Sequence, residues 1–167
     1  MMSTSMFDTR KGSRLMASSP EVPNLVKGGL AVDDRGQVSF VNGFSFANVQ
    51  RFYMVENFST EVVRAFHGHL KEEKFVLVVA GSAIVAAVQF GDPDKPKLDA
   101  KPHRFVLSDR QPQILHIPAG YANGFRPLEH KTRILFFSTA TLEESAKDDH
   151  RFPYDHWGKE VWEVEFR

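Results

Sequence analysis

Hydrophobic residues along this chain come in short runs, each closed by glycine, proline, asparagine or aspartate. The runs predict strands near Val38–Val41, Val49–Glu56, Val62–His69, Glu73–Val79 and Ala83–Phe90, then His103–Leu107, Gln113–Ile117 and Arg133–Ser138. Short Val- and Phe-rich runs between turn-forming residues suit strands and are too brief for buried helices. Asp33-Asp34-Arg35-Gly36 and Asn42-Gly43 read as turns, Gly81-Ser82 as a tight hairpin connection, and the Gly91–Lys97 stretch as an exposed loop. A helical turn is expected at Leu142–Ala146. The run Lys74–Val79 is apolar on both strand faces. One face would pack between sheets, and the other would meet a second copy or line a cavity. Many short strands spaced by turns predict an all-β sandwich or barrel.

Composition narrows the picture. At 167 residues the chain suits one domain with a real core. The expected division is a poorly structured leader over residues 1–25 and a single domain over 26–167. The 21 basic and 21 acidic residues cancel, so no charge excess predicts nucleic acid or a membrane surface as partner. There is no cysteine, which excludes disulfides, thiolate nucleophiles and cysteine-held zinc and fits a cytoplasmic location. The polar, Ser- and Met-rich start lacks the apolar stretch of a secretion signal. The longest apolar run, Phe75 to Phe90, is broken by Gly81-Ser82 and falls short of the roughly 18–20 residues a membrane helix needs.

Candidate chemistry gathers in one segment, Arg64-Ala-Phe-His-Gly-His-Leu-Lys-Glu-Glu-Lys74. His67 and His69 stand two apart, so a strand carries both on one face. Neutral imidazole titrates near working pH and suits a general base. Lys74, on the next strand, would supply a fixed positive charge, and Glu73 would face the other side. Arg51 and Tyr53 share a face of their own strand by the same parity. His103, His116, His130, His150 and His156 have no such context and read as structural or exposed. Trp157 and Trp162 read as anchors of the tail.

The His-x-His pair ahead of Gly81 resembles the first cupin motif, and Pro118-Ala-Gly120-Tyr-Ala-Asn123 resembles the second. Metal cupins have a glutamate where Lys74 stands and a histidine where Asn123 stands. The chain therefore resembles the metal-free cupins, namely dTDP-4-keto-6-deoxyglucose 3,5-epimerases and dTDP-sugar 3,4-ketoisomerases. Asp33-Asp-Arg-Gly36 resembles the epimerases' Asp-x-Arg-Gly turn, Arg64-Ala-Phe-His67 their Arg-Gly-Leu-His, and His116-Ile-Pro-Ala-Gly-Tyr-Ala-Asn-Gly-Phe125 their Trp-Ile-Pro-x-Gly-Phe-Ala-His-Gly-Phe. Arg64-Ala-Phe-His-Gly-His69 and Arg51-Phe-Tyr53 resemble the ketoisomerases' Arg-Gly-x-His-Ala-His and Arg-x-Tyr. The epimerases' acidic tyrosine falls on Phe136.

The resemblance implies a cupin or jelly-roll barrel acting on a nucleotide-linked 4-keto-6-deoxy sugar, dTDP-linked, as an epimerase or 3,4-ketoisomerase. It implies no metal, no cofactor, a homodimer, and no nucleic-acid or membrane partner. His67, His69 and Tyr53 are the expected catalytic residues, with either histidine as the base. Arg35, Arg51, Arg64, Lys74, Asn123 and Asp155 are the expected substrate-binding residues. Asp155 corresponds to the aspartate that orients the base. The rival readings are a non-catalytic cupin that binds a carbohydrate or nucleotide sugar, and a metal-dependent cupin lacking half its ligands.

Overall fold

The computed structural model describes residues 22–165 and residue 167. Most of the expected leader therefore lies outside the described residues. Its last part does not: β1 (Asn24–Lys27) pairs with a central strand and starts the fold. Next come β2 (Gly29–Asp33), β3 (Gly36–Phe40), β4 (Arg51–Glu56), β5 (Arg64–His69), β6 (Lys74–Ala80) and β7 (Ser82–Gln89). Two short strands, β8 (Gly91–Asp92) and β9 (Lys95–Pro96), close the exposed loop. The rest are β10 (His103–Ser108), β11 (Gln113–Ile117), β12 (Tyr121–Pro127), β13 (Arg133–Ser138), the helix α1 (Leu142–Lys147), β14 (His150–Arg151) and a 3-10 turn at Lys159–Trp162.

Two five-stranded sheets face each other, ordered β1-β11-β6-β13-β4 and β10-β7-β12-β5-β14, with antiparallel neighbours throughout. Between them, Val76, Val78, Leu115, Ile117, Ile134 and Phe136 of the first sheet meet Val85, Leu107, Tyr121 and Phe125 of the second. Burying each such side chain contributes about 1.5–3 kcal/mol. A second core lies outside the second sheet, where the C-terminal segment lays Phe152, Trp157, Val161 and Trp162 over Phe66, Ile84, Val88 and Phe90. β7 is thus buried on both faces, which is why its sequence lacks the polar alternation of a half-exposed strand. The indole N–H groups are satisfied: Trp157 donates to the Lys97 carbonyl and Trp162 to that of Tyr154.

Two expectations need correction. Gly81-Ser82 does not close a hairpin, because β6 and β7 belong to different sheets. The chain turns a corner there with Gly81 at φ 75°, and an added Cβ would stand 2.5 Å from Thr132 Oγ1. Residues 121–127, where no strand was expected, form the central strand β12, paired on both sides by β5 and β7.

β12 also carries the irregularity that shapes the interior. Asn123 faces His67 and Phe125 faces Arg64, so two residues of β5 oppose Gly124 alone. This one-residue bulge reverses the alternation and turns Arg64 to the side that His67 faces. Gly124 permits it: a Cβ there would run into that of Ala65 and stand 2.8 Å from the Arg64 carbonyl. Among the described residues no helix is long and apolar enough to cross a membrane.

Candidate active site

At one end of the space between the sheets the apolar filling stops and polar side chains take over. A cavity of about 390 Å³ opens there, lined by Tyr53, Arg64, His67, Lys74, Asn123 and Phe136, with small and apolar groups between them. Each comes from an inward position: Tyr53 on β4, His67 on β5, Lys74 on β6, Asn123 on β12, Phe136 on β13.

His67 keeps 40% of its side chain exposed, and its Nδ1 lies 3.3 Å from Asp149 Oδ1. The other Asp149 oxygen accepts from Arg151 Nε at 2.8 Å. Asp149 reaches this place because β14 pairs with β5, Arg151 opposite His67. Burial lowers the His67 pKa from its ordinary value, against the opposing pull of Asp149. The imidazole is therefore neutral at neutral pH, and a carboxylate facing Nδ1 leaves Nε2 as the nitrogen able to take a proton.

Lys74 is buried, with no hydrogen-bond or ion-pair partner for its ammonium among the described residues. Burial lowers its pKa, while the nearby Glu72 carboxylate pulls the other way. Tyr53 stacks on Phe136 at 5.1 Å between centroids and 5° between planes. Burial first, then the charge of Glu72, raises the Tyr53 pKa far above the ordinary phenol value, so the hydroxyl keeps its proton. Asn123 donates from Nδ2 to the His67 carbonyl at 3.0 Å, fixing the base strand to β12.

The remaining expected residues lie elsewhere. Arg64 reaches the cavity mouth and donates to Asn57 Oδ1 at 2.7 Å. His69 shares the inward side with His67 yet does not line the cavity; it is buried, with Nδ1 3.1 Å from Glu72 Oε2. Arg51 is also held back, donating to the Ala140 carbonyl at 3.2 Å and lying 3.5 Å from Glu72 Oε1. Arg35 sits on the exposed β2–β3 turn, paired with Asp33, outside this cavity. Asp155 is exposed in the turn after β14, its carbonyl accepting from the Gly158 N–H. The aspartate beside His67 is Asp149, not Asp155. Glu73 turns to the opposite side and pairs with His116 at 2.6 Å.

The residues do not fit a metal. An ammonium occupies the centre of the would-be ligand set, the Asn123 amide is spent on a backbone carbonyl, and His69 points its Nδ1 at Glu72. Sequence reasoning missed Asp149 and Glu72. The doublet Asp148-Asp149 was visible, but nothing local ties it to a histidine 82 residues away.

A family described as dTDP-4-dehydrorhamnose 3,5-epimerase matches residues 33–155. The spore coat polysaccharide biosynthesis protein SpsL of Bacillus subtilis (strain 168) is 30% identical over 111 residues, spanning 64% of this chain and 70% of SpsL. Among solved structures, the Mycobacterium tuberculosis rmlC epimerase superposes with a TM-score of 0.67 at 17% identity, over 81% of this chain and 71% of its own. The 3,4-ketoisomerase QdtA of Thermoanaerobacterium thermosaccharolyticum, in complex with TDP, gives 0.60 at 18% identity, over 86% and 96%. These likenesses confirm the cupin barrel.

Proposed function

We propose, for a chain that belongs to the dTDP-4-dehydrorhamnose 3,5-epimerase family, that it isomerises a dTDP-linked 4-keto-6-deoxy sugar by moving a proton beside the ketone. One arrangement carries this reading: a carboxylate-backed histidine, an ammonium unpaired among the described residues and a protonated tyrosine line a single cavity. The C–H bonds next to a carbonyl are the acidic ones. His67 takes such a proton on Nε2, and the electron pair moves onto the carbonyl oxygen as an enolate. Lys74 stabilises that oxygen, because a fixed cation in a site poor in water needs no rearrangement as charge develops.

The enolate is then protonated again. Delivery to the opposite face of the same carbon inverts it; delivery at C4, with the C3 hydroxyl proton passing to the C4 oxygen, moves the ketone to C3. The epimerases' acid falls on Phe136, which has no proton to give. Tyr53 stacks on that ring from the neighbouring strand and supplies a hydroxyl to the same cavity. One acid beside one base fits epimerisation at one centre or 3,4-ketoisomerisation. Arg64, at the mouth, holds the diphosphate. A nucleotide-sugar substrate supports a cytoplasmic location as part of the same reading.

The test is proton NMR of the protein with dTDP-4-keto-6-deoxyglucose in D2O. Deuterium entering at C3 or C5 of a 4-keto product is expected for epimerisation and at C4 of a 3-keto product for ketoisomerisation, so position and product separate the two. Binding without exchange would sink the catalytic reading and leave a sugar-binding module.

A homodimer is part of the proposal. The outer face of the first sheet exposes 67% of Phe52 and 55% of Met54, continuous with Val79, and the β2–β3 hairpin exposes Val32 and Val38. Solvent-facing apolar area of this kind marks an interface. Sedimentation equilibrium should give twice the 18.9 kDa chain mass, and a monomer at micromolar concentration would refute the dimer.

A further inference from the structure

The reaction proposed above uses His67, Lys74 and Tyr53, yet behind them lies a charged residue that it leaves without a task. Glu72, in the link between β5 and β6, has a side chain only 1% exposed. Its Oε1 accepts from Ser138 Oγ at 2.7 Å and lies 3.5 Å from the Arg51 guanidinium. Its Oε2 stands 3.1 Å from His69 Nδ1, close enough for an ion pair but not aligned as a hydrogen bond. A carboxylate this deep is costly unless its charge is balanced.

The groups around it come from four parts of the fold: Arg51 and Tyr53 from β4, His69 from β5, Lys74 from β6 and Ser138 from β13. Asp149 completes the charged surroundings of Lys74, and the titratable His67 ring feels the Lys74 charge in turn. We propose that Glu72 is the positioning residue of this site, a buried carboxylate that orients His69 and Arg51 and supplies the counter-charge for Lys74. The inference rests on reading this cavity as the active site.

The physical reasoning starts from Lys74. Its ammonium has no direct partner among the described residues, and burial alone drives it toward the neutral amine. Glu72 is the largest opposing influence, ahead of Asp149, while Arg51 works against it. Glu72 also repels a phenolate at Tyr53 and so keeps that acid protonated. A single carboxylate therefore favours both working states, a charged lysine for the enolate against the effect of burial and an uncharged tyrosine in addition to it. His69 takes a supporting place in this picture, its ring aimed at Glu72 rather than at substrate.

The signs follow directly. Glu72→Gln keeps the shape and an acceptor for Ser138 but removes the negative charge. Lys74 then loses its proton at lower pH, and His69 is harder to protonate. The alkaline limb of the exchange profile should move down by about one pH unit or more. At pH 8, exchange should fall by about tenfold or more while KM changes by less than about threefold. Glu72→Asp, which restores the charge one methylene further back, should recover part of the alkaline limb.

NMR titration of the His69 ring and the Lys74 side-chain amine in wild type and both variants needs no substrate. It separates failure of this inference from failure of the proposed reaction. Titrations of Lys74 and His69 that superpose on wild type in Glu72→Gln would overturn it. So would an exchange profile of unchanged shape with only a lower melting temperature. If Glu72→Gln does not fold, Glu72→Asp decides alone: a displaced His69 titration supports the role, and an unaltered one refutes it.

Discussion

Replacing His67 by alanine should reduce deuterium entry beside the sugar ketone by about 10²–10⁴-fold, the usual worth of a positioned general base. The fold should survive. His67 is 40% exposed, and the Asp149 it leaves behind keeps Arg151 at 2.8 Å as a partner. Circular dichroism and the melting temperature should stay close to wild type. The pH profile gives a second check. Burial holds the His67 pKa below its ordinary value, so wild-type exchange should rise with pH as His67 loses its proton and be fully present by neutrality. The variant should lose that acid limb. Near-normal exchange in His67→Ala, with the limb intact, would move the base to another residue.

The second large effect concerns Lys74, and here activity and stability should part. Lys74→Met keeps the aliphatic length and deletes the charge. Exchange should drop by about 10²–10³-fold, as when a fixed oxyanion partner is removed. Stability should hold or rise, because a buried ammonium without a hydrogen-bond partner gives way to an apolar chain of similar volume. Glu72 keeps Arg51 and Ser138 as partners after the change. Thermal melting beside the D2O exchange assay measures both. A variant that is equally active would show that Lys74 has no part in the chemistry, whereas one that merely unfolds would make it structural.

These two expectations also separate this site from that of a metal cupin. There, a histidine and a carboxylate in the corresponding places would hold a cation, and either loss would abolish metal binding. Here the positive charge is built into the chain at Lys74, and Asn123 secures the neighbouring strand through the His67 carbonyl. In the proposed reaction Tyr53, stacked on Phe136 from one strand away, serves in place of the epimerases' tyrosine.

Much of this was legible in the chain itself. Alternation with period two located most strands and set the faces of His67, His69 and Tyr53. Lys74, at the head of the strand leading to Gly81, followed from the same local pattern. The absence of cysteine and the balanced charge narrowed the chemistry without any fold. All of these are properties of a few consecutive residues, where backbone geometry alone dictates which side chains share a side.

Other features depended on which strands become neighbours. Tyr-Ala-Asn-Gly-Phe-Arg-Pro carries no clear strand pattern, yet pairing on both sides makes it the strand β12. Gly81 looks like a hairpin residue and is a corner between sheets, since β6 and β7 each find better partners elsewhere. Arg64 differs from His67 by an odd number of positions and should face away, but the bulge opposite Gly124 returns it to the cavity. Asp149 reaches His67, and Glu72 meets Arg51 and Ser138, only when the sheets close. Sequence alone determined what each strand offers to either side, because that is set by local backbone geometry. Tertiary structure decided which offers meet, because register and sheet closure join residues whose separation along the chain carries no local signal.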